Sequence, residues 1–370
     1  MKKNVQIRTL LATLGQPHLA QGIDALSLQE QSAFLNELER FGASTLAWQR
    51  ALLAQSPKNF EECTPHHCVA KWGDLRDQMT GEALLIEGKV GCLLLAGGQG
   101  SRMGCTGPKG MTVVVKNKTL FHLFAEKAIA AEKKIGRSLP VAIMTSPLND
   151  RATRAFFEEN QYFGIENLSF FSQEVLPLLD REGNWFLQKP GTLCVGPDGN
   201  GGALECFFEQ KLWHQWKEQG VTHVNVCFVD NPLADPFDPT FVGFAHNRGL
   251  DCALKGVERL SAEEKMGVFA SHRGRLKVLE YFEYAAKEAF SLAHTGLMCV
   301  KMSWIASLYE DKQSKMPFHL AHKQVDTSYG KRAVLKCERF LFDLLESTPR
   351  AEVMLYPRER TYAPLKGGQA

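Results

Sequence analysis

The run Leu95-Ala96-Gly97-Gly98-Gln99-Gly100-Ser101-Arg102-Met103-Gly104, followed by Pro108-Lys109-Gly110, holds the densest chemistry of the 370-residue chain. Glycines let the backbone approach a ligand and aim N–H groups at phosphate oxygens. Arg102 and Lys109 add two cations at the same place. No Gly-Lys-Ser/Thr ends the run, so it is not a P-loop. The third glycine falls at 104, one place too late for the dinucleotide fingerprint. The glycines alone also suit a tight strand-to-helix turn. With Arg102 and Lys109 beside them, they read as a site for an anion such as a triphosphate.

Asp230 follows the apolar run His223 to Val229. A carboxylate at a strand end suits Mg²⁺, which takes few carboxylates and fills its shell with phosphate oxygens. It also suits a turn before Pro232. Asp198-Gly199-Asn200-Gly201-Gly202 is turn-forming and precedes a helix from Ala203. Cys63-Thr64-Pro65-His66-His67-Cys68 matches no standard zinc spacing and reads as a polar loop.

These residues need a scaffold, and the periodicities supply one. Apolar Leu28, Phe34, Leu35, Leu38 and Phe41 mark an amphipathic helix, with Ser27 and Glu30 as a capping box and Gly42 as its stop. Val90–Ala96, Pro140–Thr145 and His223–Val229 are near-continuous apolar runs, the pattern of strands buried on both faces. Helices are predicted near 120–133, 151–160 and 203–219, and a short strand over 168–171. The alternation predicts an α/β domain with a largely parallel sheet. From Asp251 the pattern turns toward β, with a hairpin around His272-Arg273-Gly274, then a helix near 340–345 and an extended tail over 353–365. Three regions follow: a helical 1–88, a core over 89–335 and a closing segment over 336–370.

Composition narrows the function classes. With 43 Lys and Arg against 41 Asp and Glu, the formal charge of +2 excludes the dominant basic field of non-specific nucleic-acid binding. No apolar run reaches the ~18 residues of a membrane span. The first residues carry no clear signal-peptide pattern. Cys92, Cys227 and Cys252 lie in apolar runs and read as buried thiols. A cytoplasmic protein is expected, without membrane or nucleic-acid partners.

Further along, Met144-Thr145-Ser146, Tyr162-Phe163-Gly164, Gln173, Pro197-Asp198-Gly199-Asn200-Gly201-Gly202, Val229-Asp230-Asn231, Lys265-Met266-Gly267-Val268, Glu280-Tyr281, Phe340-Leu341-Phe342-Asp343 and Ala363-Pro364-Leu365-Lys366 follow in order. Together with the glycine run, this series resembles the eukaryotic-type UDP-N-acetylglucosamine pyrophosphorylases, over about residues 14 to 367. The resemblance implies a Rossmann-like nucleotidyltransferase core with a mixed, mainly parallel sheet, an N-terminal helical region and a small C-terminal segment. It implies that UTP and N-acetylglucosamine 1-phosphate give UDP-N-acetylglucosamine and pyrophosphate, with Mg²⁺ as cofactor, in a monomer or weak homo-oligomer.

The resemblance also implies roles. Arg102, Lys109 and Lys366 would be catalytic, the first two facing the departing pyrophosphate and Lys366 the sugar phosphate. Gly97, Gly98, Gln173 and Gly199 would hold uracil and ribose, and Asp230 the metal. Asn200, Gly267, Glu280, Phe340 and Phe342 would line the sugar site. Each has a plainer reading: Gln173 on the surface, Glu280 on a solvent-facing strand, Lys366 in a tail, Phe340 and Phe342 in a core. One segment departs from the pattern. Where the family has Asn-Ala-Gly-Asn, this chain has His294-Thr295-Gly296-Leu297. A lost polar contact alters selectivity, so glucose 1-phosphate or a broad sugar range stays open. A glycosyltransferase would require an Asp-x-Asp, which Val229-Asp230-Asn231-Pro232 lacks. A non-catalytic nucleotide-sugar binding protein would most simply have lost Arg102, Lys109 or Asp230, and all three are present.

Overall fold

A computed structural model describes residues 2–55, 63–67, 69–98, 107–281, 283–284, 287–310 and 316–365. The chain divides into two compact units. The first comprises Met1–Lys58, Glu174–Gly199 and Pro317–Phe340; the second comprises Asn59–Gln173, Asn200–Met316 and Leu341–Ala370.

In the first unit, the helix Leu28–Leu53 opens on the capping box of Ser27 and Glu30 and breaks at Gly42, where φ is +64°. Its buried Phe34, Leu38 and Phe41 pack with Ile7 and Leu11 of the helix Lys2–Thr13 and with Trp185 and Leu335. Each such side chain taken out of water stabilises by ~1.5–3 kcal/mol. Two buried glutamines satisfy the backbone and indole groups this packing would strand. Gln16 Oε1 accepts from the Trp185 amide at 2.9 Å. Gln49 accepts from the Trp185 indole at 2.8 Å and donates to the Pro177 carbonyl at 2.8 Å. A hairpin of His319–Thr327 and Gly330–Glu338 completes the unit.

The second unit is layered around one sheet. Besides the two-residue strand Thr64–Pro65, its strands are β1 (Val69–Lys71), β2 (Val90–Leu95), β3 (Val141–Thr145), β4 (Leu168–Ser172), β5 (His223–Phe228), β6 (Cys252–Glu258), β7 (Val268–His272), β8 (Arg275–Leu279), β9 (Leu292–Lys301) and β10 (Ala351–Leu355). The main order is β1-β10-β6-β9-β5-β2-β3-β4, with the β7–β8 hairpin attached to β9. All neighbours on the main path run parallel except β9, which is antiparallel to both β5 and β6. The expected α/β fold with a mixed, mainly parallel sheet is what the chain adopts. On β2, Leu93 and Leu95 face one core with Trp213, Trp216 and Phe207, while Val90, Cys92 and Leu94 face another with Phe121, Phe157 and Phe241. Helices cover both faces, which is why the strand reads as unbroken apolar sequence.

Several local expectations change. The segment 1–88 is not helical throughout. Val69–Lys71 pairs in parallel with β10, and Thr64–Pro65, expected as a loop, pairs antiparallel with β7. The single helix expected over 203–219 is two, Ala203–Glu209 and Leu212–Glu218, parted by Lys211 at φ +66°. The turn after Phe340 is a 3₁₀ helix, Leu341–Ser347. The tail forms β10 and then a single turn, Arg358–Thr361, before extending.

Candidate active site

The chain leaves β2 for β3 and β4 on one side and returns to β5 on the other. A crevice at the carboxyl ends of β2 and β5 follows from that reversal, and ligands of open α/β sheets bind in such crevices. The two strand ends are tied together, since the Val229 amide donates to the Leu95 carbonyl at 3.2 Å. The glycine turn after β2 and the Asp230 loop after β5 are therefore neighbours.

Lys109 and Asp230 meet there. Lys109 Nζ lies 2.7 Å from Asp230 Oδ2, and their side chains keep 23% and 31% of their surface exposed. The Lys109 amide also donates to the Gly98 carbonyl at 3.1 Å. The structure thus brings two of the sequence candidates into one ion pair. Arg102 and Lys366 lie outside the described residues. The last described residue, Leu365, donates its amide to the Asp230 carbonyl at 2.9 Å, so the C-terminal segment reaches this corner.

Gln173 follows β4, and its buried amide group lies against Gly97. A Cβ at 97 would stand 2.7 Å from Gln173 Nε2, so only glycine admits the amide there. A Cβ at Gly98 meets no described atom within 4 Å.

Two residues given no role from sequence hold this corner in shape. Asn149 Nδ2 donates to the carbonyls of Ala96 and Gly98 at 2.9 and 3.2 Å, while its Oδ1 accepts from the Ser146 amide at 2.8 Å. Asn231 donates to the Thr361 carbonyl at 2.7 Å and accepts from the Ala363 amide at 3.2 Å, tying the C-terminal segment to the loop of Asp230. The only sequence signal was a polar residue just past an apolar run. Tyr362 in the same segment has its phenol pushed above the ordinary range by burial, with the Asp230 charge adding to it.

The sugar candidates of the second unit gather where β9 begins. Because β9 runs antiparallel to β5, its first residues stand beyond the carboxyl end of β5. The His294 ring centroid lies 4.4 Å from that of Phe342, and Phe342 stacks on Phe228 at 6.4 Å. A Cβ at Gly267 would stand 2.3 Å from His294 Nε2, so the glycine makes room for the imidazole. Glu280 Oε1 lies 4.0 Å from the same nitrogen. Asn200 Oδ1 accepts from the Leu341 amide at 2.9 Å, which fixes the start of the 3₁₀ turn carrying Phe342. Phe342 is 6% exposed and so also belongs to the core.

Gly199 and Phe340 fall in the first unit. Gly199 has φ +93°, and a Cβ there would stand 2.3 Å from the Arg339 carbonyl oxygen. Beside it Arg339 pairs with the buried Asp198, whose carboxyl burial pushes upward while the Arg339 charge opposes. The Phe340 ring lies 4.8 Å from His319.

Asp230 offers Mg²⁺ a hard, partly exposed oxygen donor at a strand end. One carboxylate suits an ion that takes its other ligands from phosphate and water. Among the described residues, no cluster of three His, Cys, Asp or Glu side chains is placed to hold a metal. No helix among them is long and apolar enough to cross a membrane. Cys92, Cys227 and Cys252 are buried thiols, as expected.

Comparison with known proteins shows the family and the fold. The model of the family described as UTP--glucose-1-phosphate uridylyltransferase matches residues 48–369. A UDP-N-acetylglucosamine pyrophosphorylase of Saccharomyces cerevisiae is 31% identical, over 98% of this chain and 85% of its own length. The structure of the uridine diphosphate N-acetylglucosamine pyrophosphorylase from Trypanosoma brucei, in complex with an inhibitor, superposes with TM-score 0.81 at 24% identity, covering 100% of this chain and 82% of that one. A UDP-glucose phosphorylase from the same organism superposes with TM-score 0.76 at 18% identity, covering 90% and 76%. The chain belongs to the UTP--glucose-1-phosphate uridylyltransferase family and is a uridylyltransferase.

Proposed function

We propose that this uridylyltransferase acts on UTP and N-acetylglucosamine 1-phosphate, releasing pyrophosphate and UDP-N-acetylglucosamine. The observation that carries the reading is the Lys109–Asp230 pair at the mouth of the β2/β5 crevice. The yeast relative's name supports the choice of sugar. Its substrate phosphate is ionised near neutral pH, so no general base is required. An oxygen of that phosphate bonds to the α-phosphorus of UTP. The bond from the α-phosphorus to its bridging oxygen breaks, and the electron pair leaves on pyrophosphate. As in phosphoryl transfer generally, the protein's work is to position and to neutralise.

Lys109 and Asp230 neutralise each other across 2.7 Å. A triphosphate with roughly four negative charges gives Lys109 a stronger partner. Asp230, with the triphosphate oxygens, would hold Mg²⁺, which supplies charge neutralisation at the phosphates. The Gln173 amide presents one donor group and one acceptor, which matches the uracil edge. Gly97 leaves room for that amide, and Asn149 holds the carbonyls of Ala96 and Gly98. Arg102 and Lys366 are proposed as further cations on the phosphates. Free thiols at Cys92, Cys194, Cys227, Cys252, Cys299 and Cys337 suit a reducing compartment, and the cytoplasm is the proposed location.

One observation favours a second reading, glucose 1-phosphate or a broad sugar range: the segment 294–297 is His, Thr, Gly and Leu, with no side-chain amide. The test is pyrophosphate release from UTP and magnesium with the 1-phosphates of N-acetylglucosamine, N-acetylgalactosamine, glucose and galactose in parallel. Fastest release with N-acetylglucosamine 1-phosphate is expected. Equal or faster release with the glucose compound selects the second reading, and no release with any sugar rejects both.

A further inference from the structure

Two lysines from one stretch of chain reach the loop that follows β5. Lys109, just past the glycine turn, meets the carboxylate of Asp230. Lys127, in the helix Leu120–Ile135, meets the backbone instead. Its Nζ donates to the Pro232 carbonyl at 2.6 Å and to the Ala234 carbonyl at 3.0 Å. Lys127 stands seven residues after Leu120 and three after Phe124, both buried. It therefore falls on the stripe of the helix where an apolar residue belongs. An ammonium group there forfeits part of its hydration, and charge-assisted hydrogen bonds to two carbonyls compensate.

Those bonds complete the anchoring of the loop. The Leu233 amide donates to Asn231 Oδ1 at 3.3 Å, and the Ala234 amide to the Asn231 carbonyl at 3.0 Å. Asn225 Nδ2 donates to the Pro236 carbonyl at 2.9 Å. Pro232 and Pro236 carry no N–H and have φ fixed by their rings. The two carbonyls that these contacts leave over are the two that Lys127 takes.

The two lysines then differ in what a substrate does to them. Lys109 keeps 23% of its side chain exposed, and in the proposed reaction it leaves Asp230 for the triphosphate. Asp230 loses that partner at the moment its carboxylate is needed for Mg²⁺. Lys127 takes no part in the exchange, because it is bonded to main-chain carbonyls and not to Asp230.

We infer that Lys127 is a positioning residue, holding the backbone behind Asp230 so that the carboxylate stays fixed for the metal when Lys109 turns to the nucleotide. The inference rests on the proposed roles of Lys109 and Asp230. Residues that orient a metal ligand from behind typically carry a 10–100-fold share of metal affinity or activity.

The experiment measures UTP binding by calorimetry on the full chain, with saturating magnesium and with EDTA, in the absence of any sugar phosphate. The ratio of the two affinities is the gain due to magnesium. It is measured for the wild type, Lys127→Met, Lys127→Arg, Asp230→Asn and the double variant Lys127→Met/Asp230→Asn, together with kcat and the thermal midpoint. Lys127→Met should lower the magnesium gain and kcat by about 10-fold to 100-fold each, with UTP affinity in EDTA within about threefold of the wild type. Lys127→Arg retains donors and should restore part of both, and it serves if the methionine variant folds poorly. In the Asp230→Asn background, Lys127→Met should change the gain by less than about threefold, since residues acting as a unit are not additive. A lower thermal midpoint with the magnesium gain and kcat intact overturns the inference, as do equal losses in both backgrounds. An unchanged gain in Asp230→Asn overturns the metal role of Asp230 and the inference with it. Failure to release pyrophosphate with any sugar 1-phosphate rejects the proposed reaction, and the binding cycle still decides the role of Lys127.

Discussion

Beyond β2 and β5, Lys109 and Asp230 face each other as opposite charges with a quarter to a third of their surface in solvent. Beyond the start of β9, the groups are Gly267, His294, Phe342 and Phe228, packed ring on ring with Phe342 only 6% exposed. Both regions stand at the same edge of one sheet. The first holds a partly exposed ion pair, proposed to meet the triphosphate. The second holds shape, with the His294 imidazole set among the rings of Phe342 and Phe269. On the proposed function, charge serves catalysis in the first region and shape serves selection in the second, and substitutions in the two regions should separate turnover from sugar affinity.

The largest effect is expected from Lys109→Ala. Losing one preorganised charge-stabilising group slows the chemical step by roughly 10²–10³-fold. Steady-state kinetics should show the loss in kcat, with Asp230→Asn raising the magnesium concentration needed for half-maximal rate. Next comes Gly97→Ala. The new methyl displaces the Gln173 amide rather than the backbone, so folding changes little, while UTP KM rises about 10-fold to 100-fold through the lost base contacts. Gly267→Ala is smaller and falls on the other substrate. It pushes a walled imidazole out of place, and sugar-phosphate KM should rise roughly 10-fold with UTP KM unchanged. Equal changes in both KM values would erase the distinction between the two regions.

The smallest effect on turnover belongs to His223, at the far end of β5 from Asp230. Burial, reinforced by the His246 and Lys301 charges, holds its pKa down at about 4. The fold therefore favours the neutral imidazole. The stability this contributes is full above the ordinary pKa near 6.5 and is lost as pH falls from there through about 4. His223→Gln should leave kcat and both KM values at pH 7 within about twofold, and its thermal midpoint should fall less steeply than the wild type's between pH 6.5 and 4.

What the sequence made legible follows from range. β2, β3 and β5 were readable because burial on both faces writes itself into consecutive residues. The Ser27 cap and the break at Gly42 are local events within a few residues. β1 was not readable, because three residues carry no pattern and their partner β10 lies some 280 positions away. The break at Lys211 was hidden because a lysine with positive φ has no sequence mark. The glycine turn and Asp230 were each legible as chemistry, but their pairing, 121 residues apart, belongs to the sheet order. Asn149 and Asn231 act on backbone carbonyls and amides, which leave no trace in residue type.

The most direct measurement is a crystal structure of the full chain grown with UTP and magnesium. Uracil should lie against the Gln173 amide, and the triphosphate should pass the glycine turn and draw Lys109 Nζ away from Asp230. A nucleotide bound elsewhere, with the Lys109–Asp230 pair still closed at about 2.7 Å, would contradict the placement of the reaction at this crevice.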